Sequence, residues 1–316
     1  MINISEKLKD KLKQVPMKPG IYKMMDSKGN VIYVGKSKML NKRVKTYFAN
    51  NPKWEKVNKM VHSIDDIEFI VTDTHLEARL LECSLIKTIK PVFNSQMKHD
   101  RGYVYLKLEN YNKYKALSIV ESREENSFGP FRRKSHLTET INALKNLYPI
   151  LNSGNAYIFD YHLFPVTLNK NTFNENRISL NEILSDKSKA SVFIMELENK
   201  MKNEASLNNF EMASLYKDIL ANINYIIYSI NKYNELVKRN IILTIPIEEG
   251  YKLFYISKGK IIKKEKQKEL CHTDIFSEAV LTSTEDNNLD EKSLIDFKDI
   301  IYSEIISLPE SMVKYL

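Results

Sequence analysis

PGIYKMMDSKGNVIYVGKSKMLNKRVKTYF, residues 19–48, is the most informative part of this sequence. Two runs rich in β-branched and aromatic residues, at 20–25 and 31–34, flank a linker of turn residues, and this pattern predicts a β-hairpin. Side chains alternate between the two faces of a strand, so pairing would bring the rings of Tyr22 and Tyr33 close together.

Two helical segments follow this hairpin. Residues 40–48 have helical spacing, and Arg43 and Tyr47 are four residues apart, so they share one side of the helix. Residues 73–94 carry a leucine-rich stripe with a period near 3.6, in which Glu82 is the embedded carboxylate. A carboxylate among leucines either faces a partner or titrates abnormally, because burying it alone is costly.

These motifs resemble those of the GIY-YIG nuclease family, and in particular its UvrC branch. The two signature motifs read Gly20-Ile21-Tyr22 and Tyr33-Val34-Gly35. The other phrases typical of the branch are PGIY at 19–22, VIYVGK at 31–36, Arg43 with Tyr47, the LLE run ending at Glu82, LIK at 85–87 and KPVFN at 90–94. The resemblance implies a DNA endonuclease that hydrolyses phosphodiester bonds.

Such hydrolysis needs an activated water, neutralisation of the phosphate charge and stabilisation of the leaving oxygen. One divalent ion, Mg²⁺ or Mn²⁺, can supply the last two, and magnesium keeps most of its waters, so one carboxylate can suffice. Glu82 is the predicted metal ligand, and the resemblance implies the same. Lys36 and Arg43 are predicted to neutralise the phosphate. The predicted DNA contacts are Gly35, Lys36, Lys38, Lys42 and Arg43.

A tyrosine is the predicted general base. A free phenol has a pKa of about 10, and nearby cations favour the phenolate, so Tyr33 near Lys36 is the first choice. Tyr22 is the second choice, as base or as the group that positions the water, and the sequence does not separate the two. Tyr47 would hold the phosphate or order Arg43, and Asn94 matches a family position that packs and hydrogen-bonds near the site.

Two other interpretations limit these assignments. Tyrosine is common in half-buried strands, so each tyrosine alone could be structural. His62 and His75 are isolated in the sequence and are interpreted as surface or core histidines.

The charge of the chain is unevenly distributed. The net charge of +8 lies within residues 1–100, which hold 19 Lys and Arg against 11 Asp and Glu, whereas the remaining residues are balanced. This asymmetry favours a polyanion such as DNA as partner, although a solvated basic face would look the same. No membrane span or signal peptide is apparent, and the two cysteines have no metal spacing, so we expect a cytoplasmic protein.

The predicted fold class is α+β, in four parts. Residues 1–98 would form the GIY-YIG domain, 99–190 a linking region, 191–232 a helical hairpin and 233–316 a small α/β remnant. Within the linking region, residues 128–131 are predicted to be a turn and 151–190 to be loops. UvrC proteins usually carry four cysteines there, associated with an iron–sulfur cluster. This chain has none between Cys83 and Cys271, so no cluster is expected.

The predicted hairpin carries a motif similar to the UVR motif, through which UvrC proteins engage UvrB. From spacing alone a plain core hairpin is favoured, whereas the resemblance of the preceding segments to UvrC favours UvrB docking. Lys217 stands where the family usually has arginine. An αα-hairpin cannot bury both apolar faces alone, so it needs a partner or a second copy. The candidate UvrB-binding residues are Phe210, Glu211, Ala213, Lys217 and Asp218.

The last part begins with predicted strands at 241–247 and 251–256. UvrC proteins continue into an RNase-H-like nuclease domain and helix-hairpin-helix units, which this sequence is not expected to contain. Scattered acidic residues in this part need not form a site; they are Asp274, Glu278, Asp286 and Asp290.

The resulting hypothesis is a metal-dependent endonuclease of nucleotide excision repair. It would make a single incision on the 3′ side of damage with UvrB, downstream of UvrA. The alternatives are a non-catalytic competitor of full-length UvrC for UvrB and a stand-alone GIY-YIG nuclease of mobile-element or restriction type.

Overall fold

A computed structural model describes residues 5–48, 55–99, 102–112, 115–269 and 291–316. Contacts divide the chain into two compact units, one made of 1–100 with 236–316 and the other of 101–235. Five residues named above lie outside the described ranges: Cys271, Asp274, Glu278, Asp286 and Asp290.

The first unit begins with a three-stranded antiparallel sheet of order β2-β1-β3. The strands are β1 (Gly20–Met25), β2 (Val31–Ser37) and β3 (Asp66–Val71). The predicted hairpin is confirmed, and the Asp26 carboxylate accepts the backbone N–H groups of Lys28 and Asn30 in its turn.

Four helices accompany this sheet: α1 (Glu6–Lys13), α2 (Leu40–Phe48), α3 (Glu55–His62) and α4 (His75–Ile89). Helix α4 starts with a capping box, in which the Thr74 hydroxyl accepts the Glu77 N–H and Glu77 accepts the Thr74 N–H. The same helix packs on β1 and β2. These elements place the middle of α4 over the strand that carries Tyr33.

The second unit combines two small sheets with helices. Its strands are β4 (Val104–Leu108), β5 (Leu117–Val120), β6 (Ser127–Phe131), β7 (Leu151–Asn152) and β8 (Tyr157–Ile158). Its helices are α5 (Lys134–Lys145), α6 (Lys170–Ser185), α7 (Lys187–Ser206) and α8 (Phe210–Lys238), the last of which continues into the first unit.

Two predictions in this unit were wrong. Residues 128–131, predicted as a turn, belong to β6, because they pair with β4. Residues 151–190, predicted as loops, include α6, whose buried side chains Phe173, Leu180 and Ile183 have helical spacing diluted by asparagines. One of these asparagines, Asn176, is itself buried and accepts the Ile150 N–H at 2.7 Å.

The helices predicted within 191–232 are present as α7 and α8, which extend to 187 and 238. The expectation that they need a partner to bury their apolar faces was wrong, because these faces share a core with α5 and α6. Helices α7 and α8 are separated by a short turn in which Asn208 has a φ of 59°, a left-handed conformation that asparagine tolerates. Where the family usually has its cysteines, the rings of Tyr157 and Phe159 pack edge-on against Phe193 of α7. Thiolate ligands are absent from this part of the sequence, so these residues do not fit an iron–sulfur cluster.

The last part of the chain, which we call the C-terminal module (236–316), belongs to the first unit. It contains a four-stranded antiparallel sheet of order β11-β10-β9-β12, and α9 (Glu291–Ser307). The strands are β9 (Ile241–Ile247), β10 (Gly250–Ser257), β11 (Lys260–Gln267) and β12 (Val313–Tyr315). The α+β prediction is confirmed; the four-part division remains a prediction, and the packing of this module on residues 1–100 was not anticipated.

Among the described residues, no helix is both long and apolar enough to cross a membrane.

Candidate active site

Three tyrosines form the centre of the candidate site. The hydroxyls of Tyr22 and Tyr47 are 2.8 Å apart, and the Tyr47 hydroxyl donates to that of Tyr33 at 3.4 Å. Tyr22 lies opposite Gly35, one pleat away from Tyr33, so the rings of Tyr22 and Tyr33 are diagonal neighbours 6.1 Å apart. The predicted convergence of the two strand tyrosines is confirmed, and α2 adds the third.

Arg43 joins this cluster from α2. Its Nη2 donates to the Tyr47 hydroxyl at 3.2 Å, and its guanidinium lies over the Tyr47 ring at 5.0 Å from the centroid. The spacing of four residues therefore produces a direct contact. The Arg43 side chain is exposed, and the buried Tyr47 holds it in place, while phosphate binding by its other donors remains a prediction.

Glu82 lies on the side of α4 that faces β2. It is 7% exposed, its Oε1 accepts the Lys36 backbone N–H at 3.1 Å, and its Oε2 pairs with the Lys36 ammonium at 2.5 Å. The embedded carboxylate thus has a partner, as its position in the leucine stripe required. Lys36, which was expected beside Tyr33, contacts the carboxylate instead.

The environment of the tyrosines contradicts one expectation. Burial raises the pKa of Tyr22 and also that of Tyr33, and the neighbouring Tyr47 and Glu82 reinforce the effect at Tyr33. Arg43 acts in the lowering direction, but its effect is smaller than that of burial. A nearby cation thus acts on Tyr33 in the predicted direction, but the expected net lowering of its pKa is not met in the protein alone, because desolvation of the phenolate outweighs the attraction.

Asn94 fixes the backbone of β2 next to the site. Its Oδ1 accepts the Val34 N–H at 2.9 Å and its Nδ2 donates to the Val34 carbonyl at 2.8 Å. Both bonds are buried, and they hold the residue that follows Tyr33. Asn94 is therefore placed to orient the strand that carries Tyr33.

We expect Asn94→Asp to destabilise the protein, because the carboxylate cannot donate to the Val34 carbonyl and would face it instead. Losing one buried partner and creating a repulsive contact should lower the free energy of unfolding by about 2–3 kcal/mol, measured by urea denaturation. Asn58→Asp, an exposed change in α3, is the matched control. Equal stability of the two variants would contradict this role of Asn94.

The predicted DNA-contact residues differ in exposure. Lys38 is exposed just before α2, and Lys42 is exposed in the first turn of α2. Both can meet a phosphate backbone. Gly35 is buried, and a Cβ there would overlap the Tyr22 hydroxyl and ring. Gly35 therefore has a steric role, because it leaves space for Tyr22. Its contact with DNA remains a prediction.

His75, interpreted from the sequence as a surface or core histidine, lies near the site. It is half-buried at the start of α4, two turns before Glu82. Burial, with the charges of Lys38, Arg79 and Lys36, lowers its pKa to about 4. It is therefore neutral near pH 7, and only its place two helical turns from Glu82 could have suggested that it lies near the site.

The donor set suits a hard divalent ion held by a single carboxylate. Among the described residues, no three His, Cys, Asp or Glu side chains form a cluster that could hold a metal. Mg²⁺ retains several waters and commonly uses one or two carboxylates, so Glu82 alone fits this ion and does not fit a metal that needs a full protein cage.

The candidate partner-binding residues lie in the second unit, at the start of α8. Phe210 is 66% exposed and Leu207, in the turn before it, is 74% exposed. Glu211, Lys217 and Asp218 are also exposed, whereas Ala213 is partly buried. A large aromatic side chain surrounded by exposed charges is typical of a protein-binding surface.

Comparison with known proteins agrees with the motifs. A family model described as the UvrC-like GIY-YIG domain matches residues 18–95. UvrABC system protein C of Alkaliphilus oremlandii is 29% identical over 97% of this chain and 51% of the relative. The protein of the same name from Streptococcus agalactiae is 31% identical over 83% of this chain and 46% of the relative. The chain therefore spans about half the length of these relatives.

Solved structures are matched as well. One is the GIY-YIG N-terminal endonuclease domain of UvrC from Thermotoga maritima, bound to its catalytic divalent cation magnesium. The two chains are 37% identical, the match covers 29% of this chain and 100% of the matched chain, and the TM-score is 0.27. With the family match and the relatives, the resemblance inferred from the motifs is confirmed. Residues 18–95 are a UvrC-like GIY-YIG domain, in a chain that is similar over most of its length to UvrABC system protein C.

Proposed function

We propose that this protein is a metal-dependent DNA endonuclease of nucleotide excision repair that makes one incision, on the 3′ side of a lesion, in complex with UvrB. The observation that carries the proposal is the network of the Tyr22, Tyr47 and Tyr33 hydroxyls with Arg43, next to the Glu82–Lys36 pair, within a domain of the UvrC type. The relatives are named for the UvrABC system, which supports damaged DNA as the substrate.

Each group has a distinct task in this mechanism. Glu82 would hold Mg²⁺ or Mn²⁺, which supplies charge stabilisation for the phosphate and the leaving 3′ oxygen when bound. Arg43 binds a phosphate oxygen with the donors that do not contact Tyr47. Lys36, which pairs with the Glu82 carboxylate, adds positive charge. A phosphate is thereby oriented between α2 and α4.

The tyrosine hydroxyls orient the attacking water. Tyr33 is less buried than Tyr22, so it is the more accessible of the two to water and remains our first choice for the base. The hydrogen bonds to Tyr47 fix both hydroxyls in place. Positive charge brought by a divalent ion would favour the phenolate and oppose the effect of burial.

UvrB is the proposed partner of the hairpin. The tip of the hairpin presents Phe210 and Leu207 to solvent. The charged residues that follow on α8 can surround an apolar contact with ion pairs. UvrB would thus bring the nuclease domain to the lesion, and no lesion-reading element is required of this chain.

We expect Phe210→Ala to weaken UvrB binding by about tenfold or more, because a buried aromatic anchor typically contributes over 1 kcal/mol. Tyr228→Ala is the matched control, since Tyr228 is an aromatic residue of the same helix and is 55% exposed. Affinity for UvrB is measured by calorimetry with both variants. Equal losses in the two variants, or none in either, would contradict docking through Phe210.

The test of the whole proposal is incision of a duplex that carries one bulky adduct, end-labelled, with UvrA, UvrB, ATP and Mg²⁺. One product, cut on the 3′ side and dependent on UvrB, is expected. Incision on both sides by this protein alone would overturn the proposal. Binding to UvrB without incision would favour the competitor of UvrC, and cutting without UvrB would favour a stand-alone nuclease.

A further inference from the structure

Helix α4 has two buried faces that meet different parts of the molecule. Ala78, Glu82 and Ile86 recur every four residues on the face that meets the nuclease sheet. Successive residues are about 100° apart around a helix, so Cys83 belongs to a second face, roughly a quarter of a turn away. The first face carries the candidate metal ligand, and the second is covered by the C-terminal module.

The apolar part of this second face is fully buried. Leu76 and Cys83 are both 0% exposed and belong to one core cluster with residues of the C-terminal module. Their partners in that cluster are Leu236, Ile241, Leu243, Phe254, Ile256, Ile300, Ile301 and Ile305. Apolar burial of this kind holds α4 against the module but by itself leaves rotation about the helix axis weakly specified.

Ion pairs on both sides of Glu82 fix the rotation of α4 about its axis. One turn before it, Arg79 donates through Nη1 to Glu304 at 2.9 Å and through Nη2 to the Ser303 hydroxyl at 2.5 Å. Just over one turn after it, the Lys87 ammonium pairs with the Asp296 carboxylate at 2.8 Å. Asp296 is only 1% exposed, and removing one partner of a buried ion pair is strongly destabilising.

A further set of pairs holds the start of the helix. Lys252 of β10 contacts Asp73 at 2.8 Å and Glu77 at 3.4 Å. Lys266 of β11 contacts Asp73 at 2.6 Å. Helix α4 is thus connected to the C-terminal module at its first turn, before Glu82 and after Glu82.

We propose that the C-terminal module is a positioning element for the nuclease site, which holds Glu82 at its working position through Arg79 and Lys87. This inference rests on the proposed function, because it takes Glu82 as the metal ligand. Rolling α4 by about 10° would move a carboxylate about 6 Å from the helix axis by about 1 Å. A displacement of that order can cost about 100-fold in rate.

Arg79 and Lys87 are positioning residues, so their variants are tested on metal affinity as well as on incision. Arg79→Lys keeps the charge but loses the fork that reaches Glu304 and Ser303 together. Lys87→Met leaves Asp296 without its lysine. Each is expected to weaken Mn²⁺ binding to the full chain by about tenfold, the effect typical of residues that support a metal ligand, as read by electron paramagnetic resonance.

A rescue variant separates positioning from general loss of stability. Lys87→Met combined with Asp296→Leu removes both buried charges, so Mn²⁺ affinity should return to within about threefold of wild type. Lys59→Met is the matched control, because Lys59 forms an exposed pair with Glu55 at 2.7 Å on α3; its affinity should equal that of wild type.

The outcomes distinguish this inference from the proposed function. Wild-type Mn²⁺ affinity in both Arg79→Lys and Lys87→Met, with or without a lower melting temperature, would overturn the positioning role and leave the nuclease proposal intact. Mn²⁺ binding that survives Glu82→Gln would instead overturn the metal assignment on which both depend. Weaker binding in both single variants, restored in the double variant, supports the proposal.

Discussion

Glu82→Gln is expected to reduce incision by about 1,000-fold or more, a loss of about 4 kcal/mol in transition-state stabilisation. The amide has the shape of the carboxylate but lacks the charge that a hard divalent ion requires. The Lys36 ammonium, which is one-third exposed as a side chain, can turn to water when its partner is neutralised. The fold should therefore survive, and single-turnover incision with added Mg²⁺ measures the loss.

Glu68→Gln is the control for this prediction. Glu68 is an exposed residue of β3 that pairs with Lys23 at 3.3 Å, so the change is chemically the same but removed from the tyrosines. Its incision rate should match that of wild type, since an exposed pair contributes little. A Glu82→Gln protein that incises within about tenfold of this control would show that the metal is held elsewhere.

Gly35→Ala is expected to impair both the site and the fold. The added Cβ would overlap the Tyr22 hydroxyl and ring, and Tyr22 is 1% exposed, so it has no room to withdraw. Overpacking of this kind typically costs about 1–3 kcal/mol, and a displaced Tyr22 hydroxyl would lose its geometry to Tyr47. We expect a lower melting temperature and incision reduced by about 100-fold.

Gly102→Ala is the control, because a Cβ at Gly102 would meet no heavy atom within 4 Å. It should leave both melting temperature and incision unchanged. The double variant Gly35→Ala with Tyr22→Phe removes the hydroxyl but keeps the ring that the Cβ also meets, so its melting temperature should stay below that of wild type. If Gly35→Ala alone incised like wild type, the close packing of Tyr22 on Gly35 would have no functional role.

Much of the site was predictable because its information is local. The hairpin follows from turn residues between two β-rich runs, and the contact of Arg43 with Tyr47 follows from their spacing of four. The embedded position of Glu82 follows from the leucine stripe around it. These features need only the geometry of one hairpin and two helices.

What the sequence did not indicate depends on packing between distant segments. Tyr33 has a raised pKa because other elements bury it, which no local pattern reports. Arg79 and Lys87 look like solvent-exposed helix residues, and their partners Glu304 and Asp296 lie more than 200 positions away in the chain. No local pattern therefore indicated that the C-terminal module packs on the nuclease domain.

The two hydrogen bonds of Asn94 have a consequence for the solubility of the protein. Strand β2 is an outer strand of its sheet, and outer strands offer unpaired backbone groups that can recruit strands from other chains. Phe93 donates its N–H to the Ile32 carbonyl, and the Asn94 amide then satisfies both backbone groups of Val34, as a neighbouring strand would. Residues 93–94 thus occupy backbone groups of β2 that a strand from another chain would need, which disfavours aggregation at this edge.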